Sequence, residues 1–434
     1  MYYFIGIKGA GMAALAVILH KLGYEVCGSD IEKHLFTEEE LHANGIPIFP
    51  FNIENIKDNM NVIIGNAFGE EFPEVVATRK NPTITAYRYH EFLGKLMEKY
   101  RSFAIAGSHG KTTTTTMAAS MFSFSEPTGY LIGDGTGDIH ADSVNFIIEA
   151  CEYKHHFLAY YPEYAVITNV DLDHTDYFKS EEDYAYSYEQ FSENVQKGIA
   201  LFGDDPRVRA LSIQKPCLYY GENEGNDVRA VNVQEYPDAM EFDVLVHGEQ
   251  FGHFHVPFSG RFLLWNALSV ITLGIFVDMP ATAINEGLNH FHGAKRRFVV
   301  EKIGDSVFVD DYAHHPTEVS VTIDAARTRF PNHKIVAIFK PHRASRVFHF
   351  VNEFKEALSK ADEVCVCPFS SIDDFTDGIE IDITYLSDLI PGCRIVDENE
   401  ADAAYLASLA PACYLFMSSK DIYPLAEKVK ELLI

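Results

Sequence analysis

Positive charge is scarce in this chain of 434 residues: 35 Lys and Arg stand against 63 Asp and Glu, for a formal net charge of −28 at pH 7. A surface that acidic repels a nucleic-acid backbone or an anionic membrane, and no run of Lys and Arg is long enough to make an exception. Long apolar runs are missing as well. Met12–Leu19 and Ala267–Val277 are the longest, both short of the roughly 18 residues of a membrane span, and the first lacks the flanks of an export signal. The seven cysteines are scattered, and Cys365 and Cys367 have one residue between them where a redox motif needs two. They are expected to be small buried residues of a protein in a reducing cytoplasm. Tryptophan occurs once, at Trp265. Repeats and low-complexity tracts are absent, and at roughly 150 residues per domain the chain divides into two or three.

What is present is α/β patterning, begun three times over. Tyr2–Ile7 reads as a strand, Gly6–Gly11 as a turn and Met12–Leu22 as a helix, with a second strand at Tyr24–Gly28 that closes on Ser29 and Asp30. Strands at Asn61–Ile64 and Thr83–Ala86 and a helix at His90–Tyr100 complete a domain predicted to span residues 1–100. A second begins with Phe103–Ala106 and a Thr-rich helix, continues through strands at Val144–Glu149 and Tyr164–Val170, and carries antiparallel signals in Asp227–Val233, Met240–Val246 and Gln250–Val256. It is predicted as a mixed sheet over residues 101–294. The third, residues 295–434, has strands near Val307–Asp310, Lys334–Phe339, Glu363–Cys367, Arg394–Val396 and Cys413–Phe416, the pattern of an open doubly wound sheet.

Gly107-Ser108-His109-Gly110-Lys111-Thr112-Thr113 falls between a predicted strand and helix. Glycines let backbone wrap a phosphate, amides at a helix start point at it, Lys111 adds a cation, and the Thr112 hydroxyl suits Mg²⁺. The loop is shorter than the general P-loop pattern, since Ile105 stands where that pattern has its first Gly. Gly6, Gly9 and Gly11 follow a first strand, and Asp30 ends the second, the setting of a nucleotide site whose nucleotide is left open. Hard ligands for Mg²⁺ are expected at the ends of the next two strands: Glu149 and Glu152, then Asp171, Asp173 and His174. The third segment adds Lys295-Arg296-Arg297-Phe298, Asp310–Glu318 and Pro341–Arg346. Arg343 and Arg346, one helical turn apart, can hold a carboxylate or phosphate, or belong to a structural ion-pair network.

In order along the whole chain, Gly9-Ala10-Gly11-Met12, Gly107–Thr113, Glu149-Ala150-Cys151-Glu152-Tyr153, Asp310–Glu318 and Pro341-His342-Arg343 resemble the Mur ligases in their Gram-positive form. The resemblance implies α/β architecture with an N-terminal Rossmann-like domain for a UDP sugar, a central P-loop ATPase-type domain, and a C-terminal Rossmann-like domain for an amino acid. It implies that ATP and Mg²⁺ drive formation of an amide between UDP-N-acetylmuramate and L-alanine through an acyl-phosphate. Gly9, Ala10 and Gly11 would contact the UDP pyrophosphate, with Asp30 beside the uridine. Gly107, Ser108, His109, Gly110, Lys111, Thr112 and Thr113 would hold the ATP phosphates, and Thr112, Glu149 and His174 the metal. Asn266 would bind adenine, with Arg297 and Asp311 reaching the nucleotide. His342, Arg343 and Arg346 would line the acyl-phosphate and the alanine carboxylate, with Tyr312 and His314 alongside.

Three positions depart from the family pattern. Gly260–Asn266 keeps only the second Asn of its motif, Lys340 replaces a Gln, and Ser418-Ser419-Lys420-Asp421 replaces Gly-Ala-Gly-Asp. Three readings compete with the first: a related ligase for another amine or a recycled peptide, a nicotinamide dehydrogenase using the first glycines, and a binding protein without turnover. The expected assembly is a monomer or homodimer, with small-molecule substrates and neither nucleic acid nor membrane as partner.

Overall fold

The first 30 residues set the local logic. Tyr2–Ile5 is a strand (β1) whose residues pair in parallel with both Val26–Asp30 (β2) and Asn61–Ile64 (β4), and it hands the chain through a glycine turn to the helix Ala10–Lys21. That helix is apolar nearly all round, and Met12 to Leu19 are buried without a break. A helix so patterned has to be covered on more than one side. The sheet covers one side. The central unit helps cover another, with Gly137 so close that a Cβ there would fall 2.6 Å from the Ala14 carbonyl.

The computed structural model describes residues 1–370, 372–375 and 378–434. Among these, three sheets form. The first orders its strands β3-β2-β1-β4-β5, with β3 at Ile48–Pro50 and β5 at Thr85–Arg88, all parallel. Covered parallel strands read as continuous apolar runs, and Asn61–Ile64 lies where such a run predicts it, whereas β3, three residues long, gives no such signal and β5 begins two residues beyond the expected Thr83.

In the central sheet, a parallel core is made by Arg101–Ala106 (β6), Thr128–Leu131 (β7), Asn145–Glu149 (β9), Tyr164–Ile167 (β10), Gly198–Phe202 (β11) and Cys217–Gly221 (β12). Gly137–Asp138 (β8) pairs antiparallel at one edge. At the other end Val228–Glu235 (β13), Met240–Val246 (β14) and Glu249–Val256 (β15) form an antiparallel meander. The mixed architecture is as expected. The predicted strand Tyr164–Val170 stops three residues early, because Thr168 and Asn169 leave the sheet and donate to the His109 carbonyl of the glycine-rich loop.

The third sheet runs β16-β17-β21-β18-β19-β20, from Val299–Ile303 (β16) and Ser306–Asp311 (β17) through Lys334–Phe339 (β18), Glu363–Val366 (β19), Arg394–Ile395 (β20) and Ala412–Met417 (β21). All pairs but β16-β17 are parallel. Apolar clusters lie on both faces of the central and C-terminal sheets.

All seven cysteines are free, but the expectation of burial holds fully only for Cys365, Cys367 and Cys413. Cys151 is exposed, because it follows the end of β9 rather than lying within it.

Candidate functional site

The carboxyl ends of β6, β9 and β10 converge on the glycine-rich loop. Gly107 has φ +132°, and a Cβ there would meet Thr168 Oγ1 at 2.0 Å, so only glycine fits. Gly110, at φ +81°, caps the helix Lys111–Ser125 and turns its first amides outward. Asn169 braces the loop by accepting from the His109 amide at 2.9 Å and donating to the His109 carbonyl at 2.9 Å. Ser108 Oγ accepts from the Asp171 amide at 2.8 Å.

Lys111 folds over this loop, donating to the Gly107 and Ser108 carbonyls and lying 3.0 Å from Glu152 Oε2. Burial disfavours its charge, but Glu152 and Glu149 outweigh burial and raise its pKa. Glu152 is 1% exposed. Its second oxygen lies 3.3 Å from His174 Nε2. Burial would raise the Glu152 pKa, yet Lys111 and His174 hold it at about 2.

Thr112 Oγ1 donates to Glu149 Oε2 at 2.9 Å, and the Gly133 amide donates to the same oxygen at 3.0 Å. His174 has φ +52°, and its Nδ1 is buried and finds no hydrogen-bond partner among the described residues. Two hard oxygens beside a phosphate loop and an orphaned imidazole nitrogen suit Mg²⁺. The other carboxylates named as candidates are otherwise engaged: Glu152 by Lys111, Asp173 by Arg346, and Asp171 by Arg207 at 2.6 Å and Thr317 at 2.7 Å.

Behind the loop opens a cavity of about 1000 Å³. Phe202, Tyr220, Phe258, Phe262, Trp265 and Phe291 supply its apolar lining, and His109, Gly110, Thr113, Asn266, Arg297 and Asp311 much of the polar lining. Asn266 sits against Gly110, its Oδ1 3.1 Å from where a Cβ would be. The altered positions before Asn266 thus build an aromatic wall, with Phe262 and Trp265 ring centroids 4.8 Å apart.

The C-terminal unit lies closed on this face. Arg346 Nη2 meets Asp173 Oδ1 at 3.0 Å with both side chains under a tenth exposed, and Arg343 Nη1 meets Asp176 Oδ2 at 2.6 Å. Arg343 immediately precedes the helix Ala344–His349 and makes no side-chain capping bond, while Arg346 lies within it. Both arginines are held by aspartates of the central unit. Pro316 opens the helix Pro316–Arg329, and Glu318 in its first turn gathers Arg297 at 3.4 Å and His314 at 3.1 Å. Asp311 accepts from the Phe298 and Ala313 amides, each at 2.8 Å. Burial pushes its pKa up to about 6 against the pull of Arg297. Arg296 and Arg297 lie 5.1 and 5.0 Å from the Tyr312 ring.

His342 Nδ1 is 2.9 Å from Ser419 Oγ, and burial, with Lys420 and Arg346 nearby, lowers its pKa to about 3. The two departures Lys340 and Ser418–Asp421 meet: Lys340 donates to the Asp421 carbonyl at 2.6 Å and pairs with Glu398, while Ser418 Oγ donates to the Lys340 carbonyl at 2.9 Å.

In the N-terminal unit, Gly9, Ala10 and Gly11 open the first helix. The Asp30 carboxylate accepts from the Lys8 amide at 2.7 Å and the Ile31 amide at 2.8 Å, so in this structure it shapes the loop. Lys8 and Asp176 went unmarked in the sequence, and Glu318, part of Asp310–Glu318, was given no role of its own. Lys8 is 5% exposed and paired with Glu38 at 2.6 Å. Single charges in loops carry no periodic signal, and only the fold reveals what they face.

Models of three domains match in series: the Mur ligase family catalytic domain over residues 1–101, the Mur ligase middle domain over 105–274, and the Mur ligase glutamate ligase domain over 295–413. The chain is 46% identical over 364 residues to the UDP-N-acetylmuramate–L-alanine ligase of Lactiplantibacillus plantarum, covering 84% of this chain and 83% of that one. Among solved structures it is similar to the UDP-N-acetylmuramate-alanine ligase MurC of Thermotoga maritima (TM-score 0.79, 25% identity, 99% and 98% of the two chains). It also shares its fold with a murein peptide ligase of Psychrobacter arcticus (TM-score 0.73, 21% identity, 100% and 98%). The MurF ligase of Thermotoga maritima in complex with ADP gives 0.66 at 16% identity, covering 94% and 95%.

Proposed function

The chain belongs to the Mur ligase family, and we propose from that premise that it joins L-alanine to the lactyl carboxylate of UDP-N-acetylmuramate in a reaction driven by ATP, as a step of peptidoglycan precursor synthesis. The observation that carries this reading is the 46% identity, over most of both chains, to a ligase of that name. Lys111, 12% exposed on its braced glycine loop, supports it.

In this reading residues 1–100 bind the UDP sugar, with Gly9, Ala10 and Gly11 at its pyrophosphate. Residues 101–294 bind ATP, and residues 295–434 bring the amino acid. The adenine ring occupies the aromatic cavity near Trp265 and Asn266, and the phosphates lie over Gly107–Thr113. A carboxylate oxygen of the sugar attacks the γ-phosphorus and ADP departs. The alanine amine then attacks the acyl carbon, loses a proton, and inorganic phosphate leaves with the C–O electron pair. Lys111 neutralises charge on the phosphoryl group in flight. Mg²⁺, held by Thr112, Glu149 and His174, supplies further neutralisation when bound. Arg343, Arg346 and His342 receive the acyl-phosphate and the alanine carboxylate, with Tyr312 and His314 beside them. Arg297 and Asp311 bring the nucleotide and the C-terminal unit together, and closure keeps water from the acyl-phosphate.

The enzyme acts in the cytoplasm, where its nucleotide substrates are made, as a monomer or homodimer. The test is ADP release with UDP-N-acetylmuramate and a panel of amines that includes L-alanine, glycine, L-serine and a cell-wall tripeptide. Turnover confined to the tripeptide would assign the chain to the peptide-recycling branch, and ATP binding without turnover on any amine would leave a binding protein.

A further inference from the structure

His315 is 3% exposed and caps the helix Pro316–Arg329 through its Nδ1, which accepts from the Thr317 amide at 3.4 Å. Its other nitrogen, Nε2, is buried and finds no hydrogen-bond partner among the described residues. The ring lies on that of His109, with centroids 4.5 Å apart. His109 Nε2 in turn stands 3.3 Å from Asp171 Oδ2. One ligand atom from each of His109, Asp171 and His315 falls within 4.8 Å of the other two.

We propose that these three side chains form a binding site for a divalent d-block cation of the Zn²⁺ class, and that its occupancy fastens the C-terminal unit to the central one. Two imidazoles and one carboxylate are a donor set for Zn²⁺, Co²⁺ or Ni²⁺, whereas Mg²⁺ prefers all-oxygen, near-octahedral surroundings. The site, with two imidazoles, is therefore richer in nitrogen than the one of Thr112, Glu149 and His174, where oxygens predominate. His109 comes from the glycine-rich loop, Asp171 from the segment after β10, and His315 from the loop after β17.

The surroundings hold both signs of charge: Arg207 stands 2.6 Å from Asp171 Oδ1, Thr317 donates to Asp171 Oδ2 at 2.7 Å, and Glu318 Oε1 lies 3.6 Å from His109 Nδ1, so an ion enters in exchange for the Arg207 and Thr317 contacts. His315 Nε2, buried and without a hydrogen-bond partner among the described residues, is the ring nitrogen open to an ion. Asp171 and His109, 21% and 12% exposed, give the ion a route in. Because the ligands come from two units that must part for product release, an occupied site slows turnover.

The experiment titrates Co²⁺ into the full chain with Mg²⁺ in excess, following the visible ligand-field bands of cobalt and their loss on adding Zn²⁺. One equivalent of Co²⁺ should give bands of low coordination number in the wild type. His315→Asn keeps an acceptor at the helix cap but removes Nε2, and Asp171→Asn removes the carboxylate. Each should weaken binding on the order of 100-fold. Small-angle scattering should show Zn²⁺ narrowing the size distribution of the wild type and leaving His315→Asn unchanged. Equal spectra and affinity in wild type and both variants, or a wild-type band that Mg²⁺ abolishes, would overturn the proposal. If His315→Asn does not fold, Asp171→Asn alone decides it.

Discussion

Arg346 and Asp173 form an ion pair 3.0 Å long between the C-terminal and central units, with side chains 6% and 8% exposed. Arg346 Nε makes a second contact with the same oxygen at 3.1 Å. The carboxyl is held well below the usual carboxylate range, against the effect of burial, first by Arg346. Removing one partner of a buried pair leaves the other charge uncompensated. Asp173→Ala should therefore weaken docking of the C-terminal unit by about 3 kcal/mol, roughly 100-fold in the closed population. Scattering of the free protein should report expansion, and an unchanged profile would mean that other contacts hold the closed form.

Lys111→Ala should abolish phosphate release that depends on both UDP-N-acetylmuramate and L-alanine. Near-normal turnover would remove the lysine from the phosphate site. Glu152→Gln is the finer probe, because the carboxylate reaches both Lys111 and His174. It should lower kcat by about 10- to 100-fold, the scale of lost support behind a metal ligand, and weaken Mn²⁺ binding measured by spin resonance. The depressed pKa of Glu152, about 2, sets the pH sense. Its stabilising charge is fully present above about 4.3 and is lost only as pH falls through the folded value. An activity loss between pH 7 and 5 should thus be the same in wild type and Glu152→Gln.

Asp311 runs in the opposite sense. Its folded pKa, about 6, lies above the unfolded value of about 3.9, so the folded state holds the proton more tightly. Stability then falls as pH rises from about 4 through 6. The melting temperature of the wild type should carry this fall, and Asp311→Asn should flatten it. Parallel curves for the two proteins would place the titration elsewhere.

Trp265, the sole tryptophan, lines the cavity behind the glycine-rich loop and donates to Glu222 at 2.9 Å. Its fluorescence should change on ATP or ADP binding and remain flat with UDP-N-acetylmuramate alone. A signal indifferent to saturating nucleotide would move adenine out of this cavity.

Patterns repeated by the chain were legible in advance, and solitary contacts were not. Lys334–Phe339 and Met240–Val246 could be read to the residue because their periodicity spans the whole element. The second strand, expected at Tyr24–Gly28, lies at Val26–Asp30, since the end of the preceding helix takes up Gly23 and Tyr24 through bonds to the His20 and Leu19 carbonyls. The glycine-rich loop was recognisable from spacing alone. That Glu152 neutralises Lys111, 41 positions away, and Asp173 neutralises Arg346, 173 positions away, depends on separations that no local pattern encodes.

The pairing of Arg343, Arg346, Lys111 and Lys8 with aspartates and glutamates of the same chain has a consequence for ligand entry. Incoming polyanions meet cations that already have counter-charges, so binding proceeds as an exchange of one anion for another. Such a site rejects stray phosphate and sulfate, which cannot outcompete a tethered carboxylate. Its affinity for the true substrates should also vary less steeply with salt than the number of nearby cations suggests, because the carboxylates that are displaced remain close by.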